Sequence, residues 1–280
     1  MFPEVSDVKL AELHSTSAEN KVLKDVVVLL MVVNENELRA VIGLMKPLSI
    51  PGTNAEIIRV DRNGVTFLIG KYGRFVSAIV QTSPGAMGFD GAERKTERAI
   101  EVIKPTAVIS VGVAFGRDEE SQNLADIIVC EIINDYTYQR RGVKGNRIRS
   151  PYPPVGARLL NIFKNALGWK LERAPGDVIK VIKAPLISGP YLIDNPDDKK
   201  ELFELFPDAK GGEMEGAAIL SAIHGIEGDH KPEGIVIKAI CDWGDGKKDK
   251  KWQPFAAHAA ASYVLHHLQN RVNLHPMNGE

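Results

Sequence analysis

Glu213 and Glu215 flank Met214 in the stretch "GGEMEG", residues 211–216, directly ahead of the apolar run "AAILSAI". Along a strand, positions i and i+2 share a face, so a strand continuing through Met214 puts both carboxyls on one side. A helix starting at about Gly216 would offer its free N–H groups and dipole to an acid at that end. Glu215 would then be held ionised at a strand's C-terminal edge, where open α/β sheets build their clefts. The same spacing also describes an acidic surface turn with a capping glutamate, and on spacing alone that reading comes first. Three further features shift the balance. "GIVIKAICD" runs a buried strand into Asp242. Glu37 follows the strand "VVVLLMVV", and the loop "GVAFG", with Gly112, Val113 and Ala114, follows another. Each is ordinary as a cap, a turn or a solvated face. Four of them at four strand exits describe a site.

The elements that must position these residues alternate in type. Strands are predicted at "DVVVLLMVV", "GVTFLIGKYG", "FVSAIVQTS", "AVISVGVAFG", "DIIVCEII", "DVIKVIKAPLIS" and "GIVIKAICD". Helices are predicted at "NENELRAVIGLM" with Asn34 or Asn36 as cap, "GAERKTERAIEVIK", "VGARLLNIFKNALG", "DDKKELFELF" and "QPFAAHAAASYVLHHL". Alternation of this kind argues for a layered α/β domain, here one domain over 25–280 behind an extension at 1–24. With 280 residues, 44% of them hydrophobic, the chain can bury a large core. A net charge of -1 gives no global field towards nucleic acid or a membrane. The longest apolar run, residues 26–33, is far short of the ~20 residues that span a bilayer. The N-terminus has early acids and does not read as a signal peptide. Two cysteines without metal spacing suit a reducing cytoplasm. No metal or other cofactor is expected.

The set "EMEGAA", "KAICDWGD" and "FAAHAAASYVLHHL", in this order, resembles the nucleoside phosphorylase/nucleosidase superfamily. The likeness runs over roughly residues 25–270 and is strongest to the branch containing methylthioadenosine/S-adenosylhomocysteine nucleosidase. It implies a three-layer α/β/α fold with a mixed central sheet, and cleavage of an N-glycosidic bond. Position by position, it makes Glu215 the acid on the ribose hydroxyls, with Met214 under the sugar and Glu213 supporting the turn. Asp242 becomes the acid that protonates N7 of a purine, and Glu37 the acid that activates water. Leu192 and Ile193 fall where the family lines its base pocket, and Gly112, Val113 and Ala114 where it passes the ribose and nucleophile. The chemistry suits these types. A purine leaves poorly without a proton, so a general acid is needed, and a desolvated strand end suits one. A carboxylate on the 2'-hydroxyl favours an oxocarbenium-like sugar. Many relatives carry a small polar residue at Val113 and a small residue at Phe115. The loss of a side-chain donor there favours water over phosphate as nucleophile.

Two basic runs bear on the substrate. Arg140, Arg141, Lys144, Arg147 and Arg149 cluster without an acid, and Lys247, Lys248, Lys250 and Lys251 follow Asp242. Such runs are usually solvated loops. Beside a site, arginine forks suit phosphates, and Arg140, Arg141, Lys247 and Lys248 are the phosphate-binding candidates. The pattern also resembles nucleosidase-type effector domains of bacterial antiphage systems. The expected function is hydrolysis of a purine nucleotide such as ATP or AMP, with release of adenine. The alternatives are a methylthioadenosine/S-adenosylhomocysteine nucleosidase, a purine nucleoside phosphorylase, or a nucleotide-sensing module without turnover. The resemblance also implies a homo-oligomer, as dimer, trimer or hexamer. His266 and His267 close the last helix, one on the surface and one on an apolar flank, and Cys241 reads as a buried apolar residue.

Overall fold

The computed structural model describes residues 9–13, 15–48, 56–86, 88, 90–137, 139–142, 145–148, 153–228, 230–247, 251–270 and 274, with backbone alone for 139–142 and 145–148. The N-terminal part holds β1 (Leu10–Glu12), α1 (Thr16–Lys24), β2 (Val28–Val32), α2 (Glu35–Leu44), β3 (Ile57–Arg62), β4 (Val65–Tyr72), β5 (Phe75–Gln81) and α3 (Ala92–Ile103). There follow β6 (Ala107–Gly116), β7 (Ile127–Asp135), the hairpin β8 (Gln139–Gly142) and β9 (Gly145–Ile148), and α4 (Ala157–Phe163). A second hairpin, β10 (Glu172–Ala174) and β11 (Asp177–Val178), precedes β12 (Val181–Ser188) and α5 (Pro196–Leu205). The chain closes with β13 (Gly211–Glu213), α6 (Gly216–Gly225), β14 (Glu233–Asp242) and α7 (Trp252–Asn270).

The main sheet has the order β1-β3-β4-β5-β2-β6-β13-β12-β7-β14, and β14 pairs again with β6. That second pairing closes β6, β13, β12, β7 and β14 into a ring. β6 is therefore the junction between an open sheet and a small barrel. β2, β5, β6 and β14 run the same way. β7 and β13 run against them, and β12 follows β7 and β13. The sheet is mixed, as expected.

Strands apolar on both sides need cover on both faces. One face packs Leu30, Ile109 and Ile237 under α2, α4 and α7. The other packs Leu29, Val108 and Val236 under α1, α3 and α6. Helix, sheet and helix make the three layers. The stretch expected to precede the core also docks: β1 pairs in parallel with β3, and Val22 and Leu23 of α1 join the second core.

Three local expectations change. "GVAFG" is not a loop, because β6 runs through Gly116. The helix expected to end at Gly168 stops at Phe163. The strand bearing Glu213 ends there and runs antiparallel to β6. Gly211 pairs with Gly116, and Gly212 with Phe115. The Glu213–Glu215 turn thus leaves the shared C-terminal end of the parallel pair β12 and β13, where Ser188 is level with Glu213, and lies back along β6. Glu215 is outside the strand, as the residue ahead of α6.

Candidate active site

Glu37 is fixed by the start of α2. Asn34 caps the helix by accepting the Glu37 N–H at 3.0 Å. Glu37 Oε2 in turn accepts the N–H groups of Val33 at 2.7 Å and Asn34 at 3.3 Å. This capping box turns the carboxylate back over the end of β2. Its Oε1 accepts the Val113 N–H at 2.8 Å. A Cβ at Gly112 would stand 2.0 Å from Oε1, so only glycine admits the carboxylate here. An ionised carboxylate offers about four acceptor positions. Three are used by these bonds, two on Oε2 and one on Oε1.

The two acids of the opening stretch divide their work. Glu213 receives the helix start: its carboxylate accepts the N–H of Glu215 at 3.1 Å and of Gly216 at 2.8 and 3.0 Å. Those donors are therefore not available to Glu215. Glu215 instead accepts the Gly85 N–H at 2.7 Å through Oε1. Burial pushes its carboxyl up to about 7, with Lys238 pulling down and Glu213 pushing further up. The helix end does not hold Glu215 ionised; its proton is balanced near neutrality.

Lys238 was not among the expected site residues. It is 1% exposed, in the middle of β14, level with Gly112 of β6. Its Nζ stands 3.6 Å from Glu213 Oε2. Burial alone would lower its ammonium, but Glu37, Glu213 and Glu215 together hold it above its ordinary value. The signal in the sequence is a single lysine inside the apolar run "GIVIKAICD". A charge in a strand covered on both faces needs charged partners. One cation thus serves three carboxylates and draws Glu37, Glu213 and Glu215 into one cluster.

Asp242 lies further along the same pair of strands. It is level with Phe115, three residues beyond Gly112, or roughly 10 Å along the strand. It is half-buried, not sealed from solvent. Oδ1 accepts the Gly244 N–H at 2.9 Å, and Oδ2 accepts the Cys241 Sγ–H at 3.3 Å. Phe115 and Trp243 shape the surroundings. A Cβ on Gly212 would stand 2.2 Å from the Phe115 ring, and one on Gly116 2.5 Å from the Trp243 ring. At both positions a side chain would clash with the ring, so glycine leaves the room it needs. Met214 is half-buried between its two glutamates, and Val113 and Ala114 sit on β6 beside Glu37.

Of the other expected residues, Ile193 reaches the Asp242 turn: a Cβ on Gly244 would stand 3.3 Å from its carbonyl oxygen. Ile193 is buried, while Leu192 is 65% exposed. Both line a groove of ≈ 590 Å³ with Tyr136, Tyr191 and Leu202, and none of Glu37, Glu215 or Asp242 lines that groove. Leu192 is thus an outer wall. Lys247 is exposed on the turn after Asp242. Lys248 lies outside the described residues, as do Lys144, Arg149 and Lys250. Arg140 and Arg141 belong to β8, where Arg140 is level with Arg147 of β9. His267 is buried, and both its ring nitrogens face backbone carbonyls, of Tyr263 and Asn165. Among the described residues no group of His, Cys, Asp or Glu is arranged to hold a metal ion.

The sequence profile of the Phosphorylase superfamily matches residues 27–266, and the chain belongs to that superfamily. A death domain-containing ATP nucleosidase of Amphimedon queenslandica is 37% identical over 277 residues, covering 91% of this chain and 50% of that protein. The chain thus spans about half that relative's length. The 5'-methylthioadenosine/S-adenosylhomocysteine nucleosidase of Staphylococcus haemolyticus is 27% identical over 210 residues, covering 72% of this chain and 86% of that protein. The fold matches that of the Streptococcus pyogenes S-adenosylhomocysteine nucleosidase bound to 5-methylthiotubericidin. The TM-score is 0.70 at 18% identity, over 89% of this chain and 98% of that one.

Proposed function

We propose that the chain hydrolyses the N-glycosidic bond of a purine nucleotide of the ATP class and releases adenine. The observation that carries this is the placing of acids along β6 and β14. Glu37 and Glu215 cluster around Lys238 at one level, and Asp242 stands three residues further on. That arrangement offers a sugar end rich in carboxylate and a base end with one acid. Asp242 gives its proton to N7 as the C1'–N9 bond breaks, and the electron pair leaves with the base. Glu215 accepts from the ribose hydroxyls and favours the cationic sugar. Glu37 takes a proton from water, and the water oxygen bonds to C1'. The products are adenine and a ribose phosphate.

Water is favoured over phosphate by the use already made of the backbone. Residues 112–116 lie within β6, paired with β14 and β13. The Val113 N–H is taken by Glu37. A phosphate ion would find few donors there.

The triphosphate rests on the name of the 37%-identical relative and on the basic hairpin. Arg140 is level with Arg147 in that hairpin, and the run carries no acid. An anionic substrate would suit such a run. A homo-oligomer, a cytoplasmic location and an antiphage setting belong to the same proposal. The described residues contain no helix long and apolar enough to cross a membrane.

The test is a substrate panel of ATP, AMP, adenosine and methylthioadenosine, assayed for free adenine with and without inorganic phosphate. Adenine from ATP without phosphate supports the reading. A requirement for phosphate with a ribose 1-phosphate product makes the chain a phosphorylase. Preference for methylthioadenosine makes it a thioether nucleosidase. Binding without turnover makes it a sensor.

A further inference from the structure

The pairing of β14 with β6 is regular from Glu233 to Ile240 and then slips. Ile240 pairs with Ala114, but Asp242, not Cys241, pairs with Phe115. Cys241 is the extra residue of a β-bulge, and bulges re-aim the side chain that follows. Here that side chain is Asp242. What holds the bulge lies on neither strand. The Ala125 N–H donates to the Ile240 carbonyl at 2.6 Å, and the Ile240 N–H donates to the Asp126 carbonyl at 3.0 Å. Residues 125 and 126 therefore grip both backbone groups of the last regular residue before the bulge. Ala125 does so at φ 67, a left-handed conformation that a residue with a Cβ adopts only under constraint.

The constraint is Asp126. Its side chain is fully buried, and Oδ1 accepts from Arg173 Nη1 at 2.7 Å and from the Lys180 N–H at 2.9 Å. Oδ2 accepts the Asn123 N–H at 3.0 Å. Arg173, its side chain 6% exposed, also donates Nη1 to the Leu124 carbonyl at 3.1 Å. It is braced across its hairpin by Asp177, at 2.6 Å from Nη2. We propose that the buried Asp126–Arg173 ion pair is a positioning latch, which fixes the bulge at Cys241 and so aims the Asp242 carboxyl at the base. A buried ion pair is poor value as a source of stability alone, since apolar side chains of similar volume often serve as well. This one ties the β10–β11 hairpin to the strand end that carries the acid. The inference rests on Asp242 acting as the general acid.

A double-mutant cycle on the full chain tests it, with adenine release from ATP as the readout. Asp242→Asn alone should lower kcat by ~10²–10⁴-fold. Arg173→Met should lower kcat by up to ~10²-fold with KM little changed, as misplacement of a catalytic group does. In the Asp242→Asn background the same change should cost less than about twofold, because the group it positions is already gone. Arg173→Lys, which keeps the charge but not the planar fork of donors, should recover part of the activity. If Arg173→Met does not fold, the cycle is run with Arg173→Lys, whose smaller loss should vanish in the Asp242→Asn background. Equal losses in both backgrounds, or no loss in either, overturn the latch and leave the reading of Asp242 intact. A silent Asp242→Asn overturns the acid, and the latch with it.

Discussion

Glu215 and Lys238 set the pH behaviour of the cleft. Burial raises the Glu215 carboxyl from its ordinary 4.5 to about 7. The folded chain therefore keeps a proton that the unfolded chain releases between those values. The sign follows: this group's contribution to stability is complete below about 4.5 and is lost as pH rises through 7. Glu215→Gln removes the titration, so the fall in Tm from pH 5 to pH 8 should be smaller than in the unchanged chain. An equal fall would place the ionisation elsewhere. Activity runs the other way, because only the ionised form carries the charge that favours the cationic sugar. kcat/KM should rise as pH passes about 7. Lys238 pulls Glu215 down, so Lys238→Met should move that rise to higher pH. It should also cost stability on the order of 3–5 kcal/mol, since it strands buried carboxylates. A pH–rate profile that does not move with Lys238→Met would remove the lysine from this role.

At the scale of elements, the site is a handshake between α2 and β6 across the end of β2. The carboxylate of Glu37 passes over the backbone where Gly112 has no side chain. Gly112→Ala should therefore push Glu37 off the Val113 N–H, lowering kcat and Tm together. A variant with full activity and an unchanged Tm would refute the approach. The long apolar runs were legible in the sequence because a strand buried on both sides admits little else. A helix cap at Asn34 or Asn36 was legible for a similar reason, as a side-chain acceptor just ahead of an amphipathic pattern, and the structure settles on Asn34. The glycines of "GVAFG" misled, since they read as loop. They lie in a strand because Glu37 and Trp243 need the space. The direction of β13 was hidden, as three residues with two glycines carry no periodicity. The part of Glu213 in the turn was implied by the resemblance and did not need that direction. Lys238 was visible as an anomaly and needed the fold to supply its partners. The bulge at Cys241 depends on register with a strand far away in sequence, so no local pattern records it.

For the whole molecule, the question is where a nearly neutral chain places its cations. The β8–β9 hairpin stands as a two-stranded sheet of its own, apart from the main sheet. Its sequence concentrates Arg140, Arg141 and Arg147 there, with Arg140 and Arg147 opposed in register. Arginine forks suit phosphates, and the triphosphate of the proposed substrate would supply them. Arg140→Glu with Arg141→Glu should then lower kcat/KM for ATP steeply. Each lost contact to a charged group is worth ~1.5–3 kcal/mol, or roughly ten- to a hundredfold per contact. Cleavage of adenosine should barely change, because the acids around Lys238 and at Asp242 are untouched. Salt provides an independent check. Rising ionic strength screens exposed charges, so KM for ATP should climb with salt while KM for adenosine stays level. In the double variant the salt dependence should shrink. Equal effects of the two substitutions on ATP and adenosine would mean that the hairpin supports the fold without touching phosphate. No effect on either would return it to a solvated basic loop.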